Sequence, residues 1–523
     1  VAQLIVYNAQ VLTQNTQQPV ANAFAVENGS ITAIGNADDI LPLQQSNTIV
    51  VDAKGNTILP GFIDAHIHIW KVGNLKTFLL DLRGVSSIVE MQDRISDFVQ
   101  QNPGNSWIQA RGFNEANMKE GRMPTKEDLD KVVPNRPLWV IRTCAHIGVA
   151  NSAAIALAGV TNQSAIPVGG EMRLQANGSL NGIFTETALG LITQHIPAYT
   201  ADDYALMVEA AQNELISYGI TAATDPAVMP DLLATYYQMA AAQKLLVRIN
   251  AMPIRVPDGA SEILPVPELY NSEKLQVNTV KFFADGGLSG MTAAMNKPYK
   301  NSDSLGVLRL TEDFFYPLAK EAVIKGFGIG THAIGDRAIE VVLAVYKQLY
   351  NEGHRSLRIE HLGLPSVTDL QQMQAMQIHC VSQSIFLKEL GKNFAMYLEK
   401  ERLDRCYPYR SVLDAGVNLA LSSDAPVVKD FNPVTGIIAA LHRNDIAGNT
   451  LGNGEQITLQ EAIYAYTLGA AKANGTDHLN GSLETGKKAD FIILDKALTG
   501  HLAVNETFSV QSTYIDGELV YQQ

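Results

Sequence analysis

Apolar and polar positions alternate through the first fifty-odd residues, which is the pattern of short strands. "QLIVYNAQVL", "AFAVENGSITAIG" and "NTIVVDAKGNTILPG" are interrupted by Asn-Gly or Lys-Gly pairs, residues that tolerate the positive φ of tight hairpin turns. The far end of the chain repeats the pattern: "GSLETGKKADFIILD" and "VQSTYIDGELVY" are strand-like, the second with an Asp-Gly turn. Two β-rich ends flanking a long middle predict one composite β-domain, residues 1–57 with 478–523, since chain termini often lie close together.

In the middle the rhythm changes. Short apolar runs ("GITAATD", "VRINAMPI", "NTVKFFADGG", "FGIGTHAIGD", "LRIEHLGL", "IHCVSQS", "VNLALSSDAP") alternate with helical patterns such as "DFFYPLAKEAVIK", "RAIEVVLAVYKQLYN" and "VTDLQQMQAMQ". With "TILPGFIDAHIH" at the front there are eight strand candidates in βα alternation, which predicts a closed (β/α)8 TIM barrel over 58–79 and 216–477. "TLQEAIYAYTLGAAKANG" carries a capping box at Thr458 and Glu461 and reads as a long helix. Residues 80–215 form a large insertion after the first barrel strand, with strand candidates "SWIQARGF" and "PLWVIRTCAH". Such insertions fall at the catalytic end of a barrel, so a lid or recognition subdomain is expected.

Composition narrows the function classes. Of the 523 residues 46% are hydrophobic and 18% charged, as in an ordinary globular enzyme, and no run of about 18 apolar residues suggests a membrane span. A formal charge of −14 argues against nucleic acid, which calls for a concentrated basic face. Cys144, Cys380 and Cys406 are too few and too scattered for a disulfide framework or a thiolate metal site. The expected partner is a small-molecule substrate, the expected compartment the cytoplasm (a start at Val1 leaves room for a removed leader), and a homodimer is the default assembly.

The chemistry concentrates in "GFIDAHIHIW". His66 and His68 are two apart on a predicted strand, so both leave the same face. Alone, such a pair is as readily structural as metal-binding. However, His332 ends "FGIGTH", His361 ends "LRIEH" and Asp424 ends "LALSSD": metal-ligand types at the C-terminal ends of three further strands, where barrel chemistry sits. Four of only 11 histidines in such positions is a concentrated use. Lys281 in "NTVKFFADGG" should point inward if it shares a face with Phe283 and Asp285. A buried lysine beside dications favours its neutral amine, which can take up carbon dioxide as a bridging carbamate. A salt bridge to Asp285 or Glu360, or a snorkelling side chain at the rim, is the plainer alternative. "FADGGLSG" lacks the residues of a phosphate-binding loop and reads as a flexible active-site loop.

The motifs "LPGFIDAHIH", "HIGVANSAAIALAG", "NGIFTETA", "VKFFADGG", "HAIGD", "RIEH", "SSDAPV" and "GSLETGKKADFIILD" resemble the amidohydrolase superfamily, and more closely its YtcJ-like, amidohydrolase-3 branch, over nearly the whole chain. The resemblance implies a distorted (β/α)8 barrel with a β-sandwich built from both termini. It also implies a metal centre: His66 and His68 match the first-strand pair, His332 the fifth-strand ligand, His361 the sixth-strand ligand, and Asp424 the eighth-strand ligand and proton acceptor. Lys281 falls where many relatives carry a carboxylated lysine bridging two metals, although some members use glutamate or a single ion. One or two divalent ions, zinc foremost, would activate water for attack on a carbonyl. The branch is associated with amides, N-substituted formamides and related C–N bonds. By the same resemblance His146 is a lid residue for substrate, and Glu186 a recurring feature without a derived role; Trp70 lines the pocket or packs. Asp336 suits a helix start. A lyase or isomerase on the same barrel, and a silent binding protein, are the alternatives.

Overall fold

The computed structural model describes residues 2–104, 106–142, 147–167, 171–257 and 262–523. The chain divides into two compact units, Val1–Ile69 with Ala211–Gln523, and Trp70–Ala210.

In the first unit the two ends of the chain share one sheet. Strand Phe491–Leu494 pairs antiparallel with Thr57–Pro60 on one side and with Val510–Ile515 on the other. A second, four-stranded sheet is N-terminal only, with Leu4–Tyr7 between Ala23–Glu27 and Ile49–Asp52. The turn pairs do what their chemistry allows: Asn28-Gly29, Lys54-Gly55 and Asp516-Gly517 all have positive φ at both residues. Neither Lys54-Gly55, expected as a hairpin turn, nor Asn8, also at positive φ, closes a hairpin; the strands on either side of each lie in different sheets. Phe24, Val26 and Ile31 from one sheet and Val11, Ile58, Phe491 and Tyr514 from the other bury their side chains in a common core.

The middle strands do not form a continuous closed ladder. They make two five-stranded sheets: Phe62–Asp64, Ile220–Val228, Arg248–Pro253, Leu275–Val277 and Tyr270–Asn271 in one, and Thr279–Phe283, Gly328–Ala333, Leu357–His361, His379–Ser382 and Leu419–Leu421 in the other. The expected closed barrel is corrected at two seams. At the first, the fourth strand candidate breaks at Asn278, so that its first part pairs with Arg248–Pro253 and its second with Gly328–Ala333. Only an isolated bridge between Ile254 and Lys281 crosses there. At the second, the strands are three residues long, and contact passes to the segments beyond them. Asp424 N donates to His66 O at 2.7 Å and His68 N to Ala425 O at 2.9 Å.

The single long helix expected at Thr458 is two helices, Leu459–Ala465 and Leu468–Asn474. The capping box forms, with Thr458 N donating to Glu461 at 2.8 Å. The helix stops because the Tyr466 carbonyl accepts from Ile63 N at 2.7 Å, which pulls it out of the helical ladder.

In the second unit a six-stranded sheet runs Glu171–Leu174, Leu180–Thr185, Ile147–Ala150, Leu138–Arg142, Ile108–Phe113, Leu79–Asp81. The strands foreseen in "SWIQARGF" and "PLWVIRTCAH" pair parallel at its centre. Alternation gives the sheet two apolar faces, one covered around Met91, Ile95 and Leu129, the other around Trp139, Ile155 and Ile192.

Arg248 ties the strand Arg248–Pro253 to the C-terminal strands. Its guanidinium is buried and meets Asp490 at 2.7 and 2.9 Å and Asp516 at 2.5 Å. Truncation would leave buried carboxylate charge uncompensated. We expect Arg248→Ala to lower unfolding free energy by about 3–5 kcal/mol, read as a fall in the urea midpoint; a change near zero would mean that water replaces the arginine.

Candidate metal centre

The site is built where strands end. His66 follows the strand Phe62–Asp64, and its backbone is fixed by Asp64 Oδ1, which accepts from His66 N and Ser423 N at 3.1 Å each. This carboxylate therefore pins the His66 and Asp424 segments side by side. Ligand atoms of His66, His361 and Asp424 all lie within 4.8 Å of one another, and all three residues are buried. His66 Nε2 is 3.4 Å and His68 Nε2 3.3 Å from Asp424 Oδ1. His332 joins from the other side, its ring centroid 4.4 Å from that of His361. His361 and Asp424 both have left-handed backbone, with φ of 73° and 58°. Such conformations are uncommon outside glycine; His361 ends its strand, whereas Asp424, expected at a strand end, lies beyond the strand Leu419–Leu421.

The hydrogen bonds assign the imidazole protons. His66 Nδ1 faces the Glu360 carboxylate at 2.6 Å. His332 Nε2 faces the Gly286 carbonyl at 3.0 Å. His361 Nδ1 faces Gln383 Oε1 at 2.7 Å, and the Gln383 amide is oriented by its Nε2 donating to Ser422 Oγ at 2.9 Å. Each acceptor demands an N–H from the ring, so the lone pair falls on Nε2 of His66 and His361 and on Nδ1 of His332. Imidazoles with one N–H engaged, beside a buried carboxylate, are the donor set of a divalent cation site. The residues present fit such an ion.

The buried groups influence one another strongly: burial and Lys281 oppose charge on His66, but Asp424 and Glu360 hold its pKa above the usual value. Burial is the largest influence on Asp424 and opposes its ionisation, yet His66 and His68 hold its carboxyl well below the usual range. Burial, followed by neighbouring His332, pushes the His361 imidazole well down, which keeps it neutral. Lys281 is fully buried, and burial brings its amine down to about 8 against the pull of Glu360 and Asp424. Its Nζ has no hydrogen-bond partner among the described residues and sits 4.8 Å over the Phe283 ring.

The plainer alternative for Lys281, a salt bridge to Asp285 or Glu360, is not what forms. The Glu360 oxygens are taken by Arg358 and His66. Those of Asp285 accept from Ala294, Ile334 and Gly335 backbone N–H groups at 2.9, 3.1 and 2.8 Å. Asp285 also lies 3.3 Å from His332 Nε2, so one carboxylate holds both the ring and the segment that follows its strand. Asp336 begins the helix Asp336–Asn351, its Oδ1 accepting from Asn296 N at 2.8 Å. Trp70 packs with Tyr199 and Tyr204, ring centroids 6.3 and 5.6 Å away. His146, Cys144 and the Glu186 side chain lie outside the described residues. Glu360, Gln383 and Asp285 escaped the sequence reading as organisers of the ligands. The available signal was "RIEH", two charges at alternate positions of an otherwise apolar strand.

Against known proteins, residues 49–521 match the amidohydrolase family model of the amidohydrolase-3 group. The chain belongs to the amidohydrolase family. It is 27% identical to an N-substituted formamide deformylase of Arthrobacter pascens, with 99% of this chain and 98% of that protein covered. It is also 27% identical to the putative amidohydrolase YtcJ of Bacillus subtilis (strain 168), over 96% of each. Among solved structures, an uncharacterized metal-dependent hydrolase from Pyrococcus horikoshii OT3 superposes with a TM-score of 0.80, 23% identity and coverage of 95% and 98%. The amidohydrolase fold is thereby shared over nearly the whole chain.

The Lys281 amine gives a pH signature. Folding lowers its value from 10.5 to about 8, so between these limits the unfolded chain binds more protons and stability rises with pH. Below about 8 the penalty for burying the ammonium is present in full. With chelator present, Lys281→Met is therefore expected to be more stable than wild type at pH 7. The gap should narrow as pH rises toward 10.5 in urea titrations. A gap independent of pH would show that the amine is paired.

Proposed function

We propose that this chain is a metal-dependent hydrolase that cleaves the C–N bond of an amide, N-substituted formamide or cyclic amide with water. The observation that carries this reading is the convergence of His66, His361 and Asp424 within 4.8 Å, each histidine with its other nitrogen engaged. The two five-stranded sheets are taken as the halves of a distorted (β/α)8 barrel, and the two terminal sheets as its β-sandwich. The substrate class is suggested by the relative named for N-substituted formamides.

His66, His68, His332, His361 and Asp424 would hold one or two ions, with zinc favoured by the nitrogen-rich donor set. Lys281, whose amine burial brings down to about 8 and whose Nζ has no hydrogen-bond partner among the described residues, would be open to N-carboxylation and would then offer the centre an anionic oxygen ligand. A divalent ion there supplies a water of lowered pKa and polarises the scissile carbonyl. Asp424 is the proton acceptor: its ionised carboxylate takes a proton from the attacking water and can return it to the leaving nitrogen. Asp64 and Asp285 hold the backbone of the strand ends so that these groups meet.

Metal content tests the reading. Protein purified without chelator is expected to carry about two zinc-like ions per chain, with fewer in Lys281→Ala. Turnover of N-substituted formamides and amides in heavy-oxygen water should place one label in the carboxylate product. Asp424→Asn should lower turnover about 10²–10⁴-fold. Failure to hold metal after supplementation with metal and bicarbonate would overturn the hydrolase reading. Turnover without label would instead mean a lyase or isomerase.

A further inference from the structure

Behind the ligands lies a second set of buried charges that the ligand list does not use. Arg358 and Glu360 alternate on the strand Leu357–His361 and are 2% and 0% exposed. Arg358 Nε reaches Glu360 Oε1 at 2.5 Å, and its second guanidinium nitrogen reaches Oε2 at 2.9 Å. Oε2 also takes the Nδ1–H of His66 at 2.6 Å. Both oxygens of Glu360 are therefore occupied, which distinguishes it from a ligand. Arg358 is held in turn by the carbonyl of Ala65 and by Asn474 Oδ1, each at 2.7 Å. The same Asn474 oxygen accepts from Thr224 Oγ1 at 2.9 Å. A Cβ at Gly330 would collide first with Met252 Cε, at 2.3 Å, and would lie 3.1 Å from Glu360 Oε1.

We propose that Glu360, clamped by Arg358, is a positioning residue that locks His66 with its lone pair on Nε2 and thereby sets the affinity of the centre for metal. The inference rests on the metal-centre reading of the site. The physical argument is one of acceptor strength and direction. A carboxylate binding Nδ1–H fixes the ring's tautomer and plane and raises the basicity of the opposite nitrogen. The Arg358 fork prevents the carboxylate from rotating away or turning toward the ions itself. Because Arg358 also grips the carbonyl next to His66, one guanidinium orients both the ring and the backbone that carries it. A buried ion pair that only stabilised the strands would need no bond to a ligand ring.

The test is cobalt(II) titration of full-length wild type, Glu360→Gln and Arg358→Lys against a competing chelator, with visible spectra recorded. Glutamine keeps the size of the side chain but must turn an amide N–H toward Arg358 or His66. Glu360→Gln is expected to weaken cobalt binding about 10–100-fold and to move the visible bands, with a smaller loss in Arg358→Lys. A merely structural pair would lower thermal stability and leave affinity and bands unchanged; that result overturns the proposal and spares the metal centre. A wild-type protein that takes up no cobalt overturns both. If Glu360→Gln does not fold, wild-type protein labelled with ¹⁵N-histidine decides. A strongly downfield Nδ1 proton, absent in His66→Gln, supports the lock, and a His66 ring protonated on Nε2 alone overturns it.

Discussion

Ser423 N donates to Asp64 Oδ1 across 359 residues of sequence, and next to it Asp424 N donates to His66 O. One side-chain-to-backbone and one backbone-to-backbone hydrogen bond thus bring the first and last strand ends of the middle region together. The convergence of His66 and Asp424 depends on them, since the strands these residues follow belong to different sheets. Asp64 does this as a buried carboxylate whose pKa burial raises to about 7; Oδ1 takes both backbone N–H groups, while Oδ2 has no hydrogen-bond partner among the described residues.

The same logic recurs around the centre. Asp285 receives three backbone N–H groups, Glu360 a guanidinium and an imidazole, and Asp424 lies against two histidines. Buried carboxylates in this protein serve as anchors for backbone or rings, while left-handed backbone at His361 and Asp424 aims the ligating atoms. Strain at these two residues is tolerated because the flanking segments are hydrogen-bonded on both sides.

Much of this was legible in advance. Hairpin turns at Asn28-Gly29 and Asp516-Gly517 were readable because only a few residue pairs accept two positive φ values. The ligand candidates stood out because histidine and aspartate at strand ends interrupt apolar runs, and three of them converge. What was not legible depends on long-range partners. The break at Tyr466 comes from Ile63 capturing a carbonyl, which no local helix pattern encodes. The seam at Asn278 depends on which neighbour each half of a strand finds. Glu360 and Gln383 were hidden because their role exists only through the rings they face.

The sharing of one sheet by both chain ends has a consequence for biogenesis. Thr57–Pro60 emerges from the ribosome long before its partner Phe491–Leu494. At about 5–20 residues per second the interval is roughly 20–90 seconds, during which one edge of an apolar strand has no mate. Unpaired edges of this kind invite pairing with other chains. That edge stays adhesive until Phe491–Leu494 appears, and a chain cut short before that strand would keep it permanently.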